Sequence, residues 1–207
     1  MAYAPAARRP ALAALFALDE RLGGIVGTTS EAMIGLMRLA WWRESLEKLD
    51  GAAAPAEPLL QAMARHALSA GVAGADLAGL EDGWAALLDG EPDREAIARH
   101  GRERGGRLFV LAGRLLGTDD ARLEAAGTGW ALADLAHRHS DASVRRDARS
   151  QALAVLALTG GGRWPKSARP LAALAVLARA DAAGDAPRRQ GAPSRLARML
   201  ALRLTGR

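Results

Sequence analysis

The sequence predicts an all-α protein that folds as a single helical bundle. β-Branched and aromatic residues are few, and no run alternates apolar and polar residues with the period of two that is typical of a half-buried strand. Apolar residues recur instead with helical spacing along most of the 207 residues. Half of the residues are hydrophobic, the linkers are short and no internal repeat is evident, so we expect one domain over residues 1–207.

The periodic segments predict about seven or eight helices, because some neighbouring segments are expected to merge. Local signals mark their ends: residues 28–31 fit a capping box, residues 50–51 end the second helix, and Pro55 and Pro58 open the third. Residues 117–120 combine a C-terminal glycine with the acidic start of the next helix. In chain order, the predicted segments are 10–23, 30–50, 55–69, 75–89, 93–116, 120–138, 143–159, 166–182 and 193–205.

The second predicted helix contains two adjacent tryptophans, in the stretch RLAWWRESLEKLD at residues 38–50. Neighbouring residues on a helix point about 100° apart, so one ordinary core face cannot take both rings equally. Trp42 falls on an apolar stripe and is predicted to lie in the core, whereas Trp41 falls on the adjoining flank with Ile34 and Met37. We therefore expect this helix to be buried on two sides.

Composition and charge exclude some classes of function and leave others open. The net charge of +5 and the pI near 10.8 permit an anionic partner such as a diphosphate, a nucleic acid or an acidic membrane surface. Only Lys48 and Lys166 stand among 28 basic residues, which indicates a GC-rich coding bias and weakens a functional interpretation of the charge. The chain has no cysteine, so disulfides, zinc–thiolate sites and thiol catalysis are excluded.

Histidines and carboxylates show no ready-made metal site. None of the four histidines stands in HExxH spacing, and we expect them to be solvated or capping side chains. Asp134 and Asp141 share a helical face, but Arg138 and Arg145 are placed to neutralise them, which predicts a salt-bridged surface. The glycine cluster RERGGRL at 102–108 lacks the GK[ST] of a phosphate-binding loop, so it is interpreted as a loop or a close helix contact.

The last segment, PSRLARMLALRLTGR at residues 193–207, predicts a basic amphipathic helix. Its larger apolar residues fall on one side and its arginines lie around them. Such a helix can lie on an anionic bilayer, but a bundle helix with a solvated basic face shows the same pattern and is the commoner case. No apolar run approaches the roughly 20 residues that a membrane-spanning helix needs.

Residues 8–49, RRPALAALFALDERLGGIVGTTSEAMIGLMRLAWWRESLEKL, resemble the N-terminal part of the squalene/phytoene synthase family. Members of that family carry a helix that reads roughly (I/L)R(L/M)xWWR(D/E)xL, and residues 36–46 are similar to it. Weaker similarity continues through residues 103–117 and 125–135. The chain is also similar to the branch of the family that contains respiratory complex I assembly factors, and the resemblance indicates a short, divergent bacterial member.

The resemblance implies a helical bundle of the isoprenoid (terpenoid) synthase type around a central cavity. Met37, Trp41 and Trp42 would then lie in the wall of that cavity. Active members of the family join two prenyl diphosphates head to head, using Mg²⁺ held by two aspartate-rich motifs.

Both of these motifs are depleted in this chain, and the remaining carboxylates are candidate remnants only. Asp19 and Glu20 stand in the place of the first motif, Asp134 stands in the place of the second, and Asp141 follows it. One or two isolated carboxylates cannot hold the usual Mg²⁺ cluster. If Asp19 and Asp134 face each other across one cavity, a residual diphosphate site survives, and if either points to solvent it does not.

Two functional hypotheses follow from the resemblance. The first is a degenerate, noncatalytic protein that needs no cofactor and binds a partner protein or an isoprenoid or other lipid, in the assembly of a respiratory complex. The alternative is an active Mg²⁺-dependent prenyltransferase on farnesyl or geranylgeranyl diphosphate, in hopanoid, squalene or carotenoid biosynthesis. A nucleic-acid partner is not expected, because no aromatic residues are interleaved with the basic ones. We expect a cytoplasmic protein and leave peripheral contact with the inner membrane open.

Overall fold

The computed structural model describes residues 4–184 and 191–207, and it is all-helical over these ranges, as the sequence predicts. Wide helical turns continue α3 over Met63–Ala67 and join α6 to α7 over His100–Gly106, and short 3₁₀ turns lie at Ala6–Arg8 and Leu68–Ala70. The α-helices are α1 (Arg9–Thr28), α2 (Ala32–Lys48), α3 (Pro58–Ala62), α4 (Gly74–Ala78), α5 (Leu80–Ala85), α6 (Arg94–Arg99), α7 (Arg107–Leu116), α8 (Leu123–Arg138), α9 (Ala142–Ala157), α10 (Arg169–Ala183) and α11 (Pro193–Thr205).

The predicted segment 93–116 forms one continuous helical stretch from α6 through the wide turn to α7. The Asp93 side chain begins it by accepting a hydrogen bond from the Ala96 amide at 2.8 Å. Gly117 ends it in the left-handed conformation, with φ of 70°. The segment 75–89 is instead divided at Gly79 into α4 and α5.

The predicted capping box at residues 28–31 is wrong, because α1 extends through Thr28. The Thr28 hydroxyl donates to the Gly24 carbonyl at 2.6 Å, back into α1, and the Glu31 side chain makes no capping bond at the start of α2. The predicted segment 10–23 therefore ends too early. Gly23 packs instead against the indole of Trp84, where a Cβ atom would stand 2.7 Å from a ring carbon, so the glycine serves a close contact within the helix.

The helix α8 lies at the centre of the fold, in contact with the wide turn His100–Gly106, α7, α9 and α10. It crosses the wide turn where Gly105 meets Gly127: a Cβ atom added to Gly105 would lie 2.1 Å from the Gly127 carbonyl oxygen. The interpretation of the glycine cluster as a close helix contact is therefore confirmed. This approach brings Arg104 and the inner face of α8 together.

The tryptophan helix α2 is buried on one side only. Trp42 is 6% exposed and lies in the core, as predicted, on the face that packs against α1, α4 and α5. Trp41 is 49% exposed and meets Trp42 edge to face, with ring centroids 5.3 Å apart. Ile34 and Met37 are exposed as well, so the predicted burial on two sides is wrong. The buried residues of α2 fall on one face of the helix, and they are Gly35, Leu39, Trp42, Ser45 and Leu46.

The basic amphipathic helix α11 packs against α10 and buries Leu202. Leu196, Leu200 and Leu204 remain exposed. Among the described helices, none combines the length and the apolar character that crossing a membrane requires.

Candidate functional site

A buried ion cluster joins α1, the wide turn and α8. The Arg104 guanidinium binds the Asp19 carboxylate through two hydrogen bonds, from Nε to Oδ1 at 2.9 Å and from Nη2 to Oδ2 at 3.0 Å. The same Nη2 donates to Asp134 Oδ2 at 3.2 Å. The three side chains are at most 7% exposed. One guanidinium thus stands between two of the four carboxylates that the resemblance gives as candidates.

Aromatic rings hold this guanidinium in place. Its central carbon lies 4.1 Å from the ring centre of Trp84 and 4.9 Å from that of Trp130, distances typical of cation–π contacts. Trp84 also donates from Nε1 to Asp19 Oδ1 at 3.0 Å. The Arg104 guanidinium, the Asp19 carboxylate and the Trp84 indole therefore hold one another in position.

His100 completes the cluster as a neutral imidazole. It is fully buried, and its Nδ1 lies 2.7 Å from the Gly83 carbonyl oxygen, so Nδ1 carries the proton and donates it. Nε2 is left as an acceptor 3.4 Å from Arg104 Nη1. Burial first, and then the neighbouring Arg104 charge, lower the pKa of His100 to about 3.

The cluster keeps Arg104 charged in spite of its burial. Burial alone lowers the pKa of a guanidinium, but the charges and hydrogen bonds of Asp19 and Asp134 outweigh it and raise the pKa of Arg104 above its ordinary value. Asp134 receives a second cation, because Arg138 Nε donates to its Oδ1 at 3.0 Å. The two acidic residues are balanced by two arginines.

A cavity of about 510 Å³ opens beside the cluster. Its polar lining includes Asp19, Arg104, Asp134 and Arg138. The apolar part of its wall is formed by Phe16, Val26, Trp84, Leu87, Trp130 and Leu135. A pocket that joins a large apolar wall to a few convergent polar groups is the usual form of a small-molecule site.

The remaining candidate carboxylates lie apart from this cluster. Glu20 is exposed and lines both the cavity and a neighbouring groove. Asp141 is the N-cap of α9 and accepts hydrogen bonds from Ser143 and the Val144 amide, which lower the pKa of Asp141 to about 2. The pairing of Asp134 with Arg138 is confirmed, but the predicted surface position of Asp134 is wrong, because its side chain is buried. Arg145 instead donates to backbone carbonyls at residues 139 and 140.

The two tryptophans of α2 line a separate groove of about 890 Å³ between α1, α2 and the start of α3. Arg21 and Arg38 lie in the same groove, and the Arg21 guanidinium is 5.9 Å from the ring centre of Trp42. Met37, predicted to share a cavity wall with the tryptophans, is 66% exposed and is not part of this lining. The groove and the cavity meet along Glu20, Gly24 and Thr28 of α1.

Sequence reasoning missed Arg104, His100 and Trp84. The expectation that the histidines are solvated or capping is wrong for His100, which is fully buried. Its hydrogen-bond partner is the carbonyl of Gly83, 17 residues away in the sequence. One local signal was present: His100 and Arg104 are four residues apart and so share a helical face beside a glycine pair that permits close packing.

The residues present do not fit the Mg²⁺ cluster that active members of the resembled family use. Mg²⁺ needs about six oxygen ligands in a compact octahedron. Asp19 and Asp134 do line one cavity, but Arg104 occupies the position between their carboxylates. Across residues 4–184 and 191–207, no three His, Cys, Asp or Glu side chains are grouped so that they could hold a metal ion.

Comparison with known proteins gives one match. The family model described as squalene/phytoene synthase matches residues 1–138, two thirds of the chain. The matched region contains α1 to α8 and therefore every member of the buried cluster. No curated protein and no solved structure matches the chain significantly.

Proposed function

Because the chain belongs to the squalene/phytoene synthase family, we propose that it is a noncatalytic member whose helical bundle binds a partner protein or a lipid. The observation that carries this proposal is the position of Arg104 between the carboxylates of Asp19 and Asp134. A tethered guanidinium takes the place where a catalytic cluster would need exchangeable divalent cations.

The chemistry of the two cations explains why this replacement removes catalysis. Mg²⁺ can bridge a protein carboxylate and a diphosphate at once, because it accepts oxygen ligands from both. Arginine has only donors, remains charged and is fixed to the backbone. Four of the five N–H donors of Arg104 are directed at Asp19, Asp134 and His100, so the guanidinium is committed to the cluster and not to a leaving diphosphate.

The cavity supports binding of an apolar ligand. Its volume of about 510 Å³ falls in the range typical of small-molecule pockets, and aromatic and aliphatic side chains form much of its wall. An isoprenoid or another lipid chain can be held there by burial of its hydrocarbon surface. This binding does not require a Mg²⁺ cluster.

A turnover assay tests the noncatalytic assignment. Purified protein is incubated with labelled farnesyl or geranylgeranyl diphosphate and Mg²⁺, with and without NADPH, beside an active family member as the positive control. We expect no presqualene diphosphate, squalene or phytoene from this protein. Formation of any of these products at a rate above the uncatalysed background would overturn the proposal.

The proposed setting is the assembly of a respiratory complex, which rests on the resemblance of the tryptophan helix to that branch of the family. Deletion of the gene in its host is expected to lower NADH-dependent respiration, and a plasmid copy should restore it. A complementing copy with Glu20→Gln, which removes an exposed candidate carboxylate outside the buried cluster, should restore respiration equally. Unchanged respiration in the deletion strain would refute this setting while leaving the noncatalytic assignment to the turnover assay.

A further inference from the structure

The C-terminal helix α11 presents a stripe of leucines to solvent. Leu196, Leu200 and Leu204 are 55%, 41% and 76% exposed, and their spacing of four residues places them along one side of the helix. They span about 12 Å, or just over two helical turns. Leu202 is the residue that α11 buries against the bundle. Solvent-facing stripes of large apolar side chains indicate a surface that binds a protein or a membrane.

The two segments that carry and border this stripe contain basic residues and no acidic ones. Residues 159–170 and 191–207 contain no Asp or Glu, and together they hold seven cationic side chains: Arg163, Lys166, Arg169, Arg195, Arg198, Arg203 and Arg207. Arg195 is paired with Asp181 of α10. The local charge is thus far more one-sided than the net charge of +5 for the whole chain suggests.

Hydrogen bonds join these two segments into one surface. Arg163 Nε donates to the Thr205 carbonyl at 2.7 Å, and Arg169 Nη1 donates to the Arg203 carbonyl at 2.6 Å. The Trp164 amide donates to the Gly206 carbonyl at 2.8 Å. Because the acceptors are neutral carbonyls, these contacts fix the arginines in place without cancelling their charge.

We propose that this face, formed by α11 and residues 159–170, docks on the surface of an anionic lipid bilayer. The leucine stripe would enter the boundary between headgroups and acyl chains, and the exposed basic side chains of both segments would contact anionic headgroups. Because both segments contain basic residues and no Asp or Glu, their charge is complementary to a uniformly negative surface. The face lies outside the matched residues 1–138, so the proposal stands independently of the noncatalytic assignment.

Vesicle co-sedimentation of the full chain tests this docking. We expect binding to vesicles made of phosphatidylcholine and phosphatidylglycerol in equal parts, weak binding to phosphatidylcholine alone, and a loss of binding as salt rises. The triple change Leu196→Ser, Leu200→Ser and Leu204→Ser should weaken the affinity by more than about tenfold, because each 1.4 kcal/mol of lost burial costs a factor of ten. The change of Lys166→Gln with Arg198→Gln should weaken binding to the anionic vesicles alone.

A matched control uses exposed methionines elsewhere. Met33 and Met37 of α2 are 69% and 66% exposed, so Met33→Ser with Met37→Ser removes comparable apolar surface and should leave vesicle binding unchanged. Circular dichroism and the thermal midpoint of each variant should match those of the parent, since every altered side chain is on the surface. Equal binding to neutral and anionic vesicles, no binding to either, or self-association in solution through the leucine stripe would each overturn the proposal.

Discussion

His100 shows how one residue reports the state of the buried cluster. Its Nδ1–H donates to the Gly83 carbonyl, and the lone pair on Nε2 faces Arg104 Nη1 at 3.4 Å. Protonation of Nε2 would remove that acceptor and place a second cation against Arg104 in a buried site. The cluster therefore requires the neutral imidazole.

This requirement predicts an acid-sensitive contribution to stability. The pKa of His100 is lowered to about 3 in the folded protein, whereas it is near 6.5 in the unfolded chain. Between these two pH values the unfolded chain binds a proton that the folded protein does not. The contribution of His100 is fully present above about pH 6.5 and is lost progressively as the pH falls from there toward 3. Between pH 7 and pH 5 the loss should be about 2 kcal/mol.

The His100→Asn variant isolates this effect, because the asparagine amide can still donate toward the Gly83 carbonyl but cannot titrate. Urea unfolding from pH 7 to pH 5 should show a free energy of unfolding that falls less steeply in the variant than in the parent. The groups around the site, Arg104, Asp134 and His139, are shared by both proteins. Parallel pH profiles would mean that His100 is not held neutral.

The cluster also shows what the sequence could and could not reveal about single residues. The resemblance gave Asp19 and Asp134 as candidates, together with Glu20 and Asp141, because their positions along the chain correspond to the acidic motifs or follow them. It could not reveal Arg104, which lies 85 residues from Asp19 and 30 from Asp134. Pairing at that distance is decided by how the helices pack, which local periodicity does not encode.

At the scale of elements, the crossing of α8 and the wide turn His100–Gly106 depends on paired glycines. A Cβ atom on Gly127 would lie 2.0 Å from the Gly105 carbonyl oxygen and 2.7 Å from the Phe109 Cβ atom. The first of these obstacles is backbone, which cannot turn aside as a flexible side chain can. The two elements must move apart to admit even a methyl group.

Gly127→Ala should therefore destabilise the protein by about 1–3 kcal/mol, although alanine is the better helix former by about 1 kcal/mol. Gly24→Ala is the matched control: Gly24 lies inside α1, and an added Cβ atom there meets nothing within 4 Å. That variant should be equally or more stable than the parent in urea unfolding. Equal stability of the two variants would contradict the close approach of α8 to the wide turn.

The tryptophan helix marks the limit of prediction for an element. Its apolar stripe predicted the helix and the burial of Trp42, and both are confirmed. The burial of Trp41 was inferred because apolar residues occupy both the Trp42 stripe and the adjoining flank of the helix. The number of apolar positions around a helix does not say how many neighbouring helices cover them. The buried residues of α2 lie on the Trp42 face, and Trp41 is half exposed beside a groove.

The fold class of the molecule could be predicted from the sequence, whereas the arrangement of its helices could not. Helical spacing and the scarcity of strand signals predicted the all-α fold, and the match to the family model over residues 1–138 supports its isoprenoid synthase type. Which helix lies at the centre depends on close approaches such as that of Gly105 to Gly127. These contacts join residues far apart in the chain, and they become visible only in three dimensions.

Arg104 connects α1, the wide turn and α8, so its loss should weaken the whole bundle. Arg104→Met would leave two buried carboxylates without this cation. Asp19 would be affected most, because Asp134 keeps Arg138, whereas the side-chain partner left to Asp19 among residues 4–184 and 191–207 is the Trp84 indole. Breaking a buried pair in this way costs about 3–5 kcal/mol, to be measured by urea unfolding. The exposed pair of Arg102 and Glu95 gives the matched control, Arg102→Met, for which the loss should be about 0–1 kcal/mol.

A double-mutant cycle separates the cost of leaving the Asp19 charge unpaired from the cost of losing the packing of Arg104. Combining Arg104→Met with Asp19→Asn replaces the unpaired Asp19 carboxylate by a neutral amide, whose oxygen can still accept a hydrogen bond from Trp84. The double variant should then be more stable than Arg104→Met alone, because an unpaired buried charge costs more than a neutral polar group. Additive losses from the two single changes would contradict the pairing, because residues in direct contact are expected to couple.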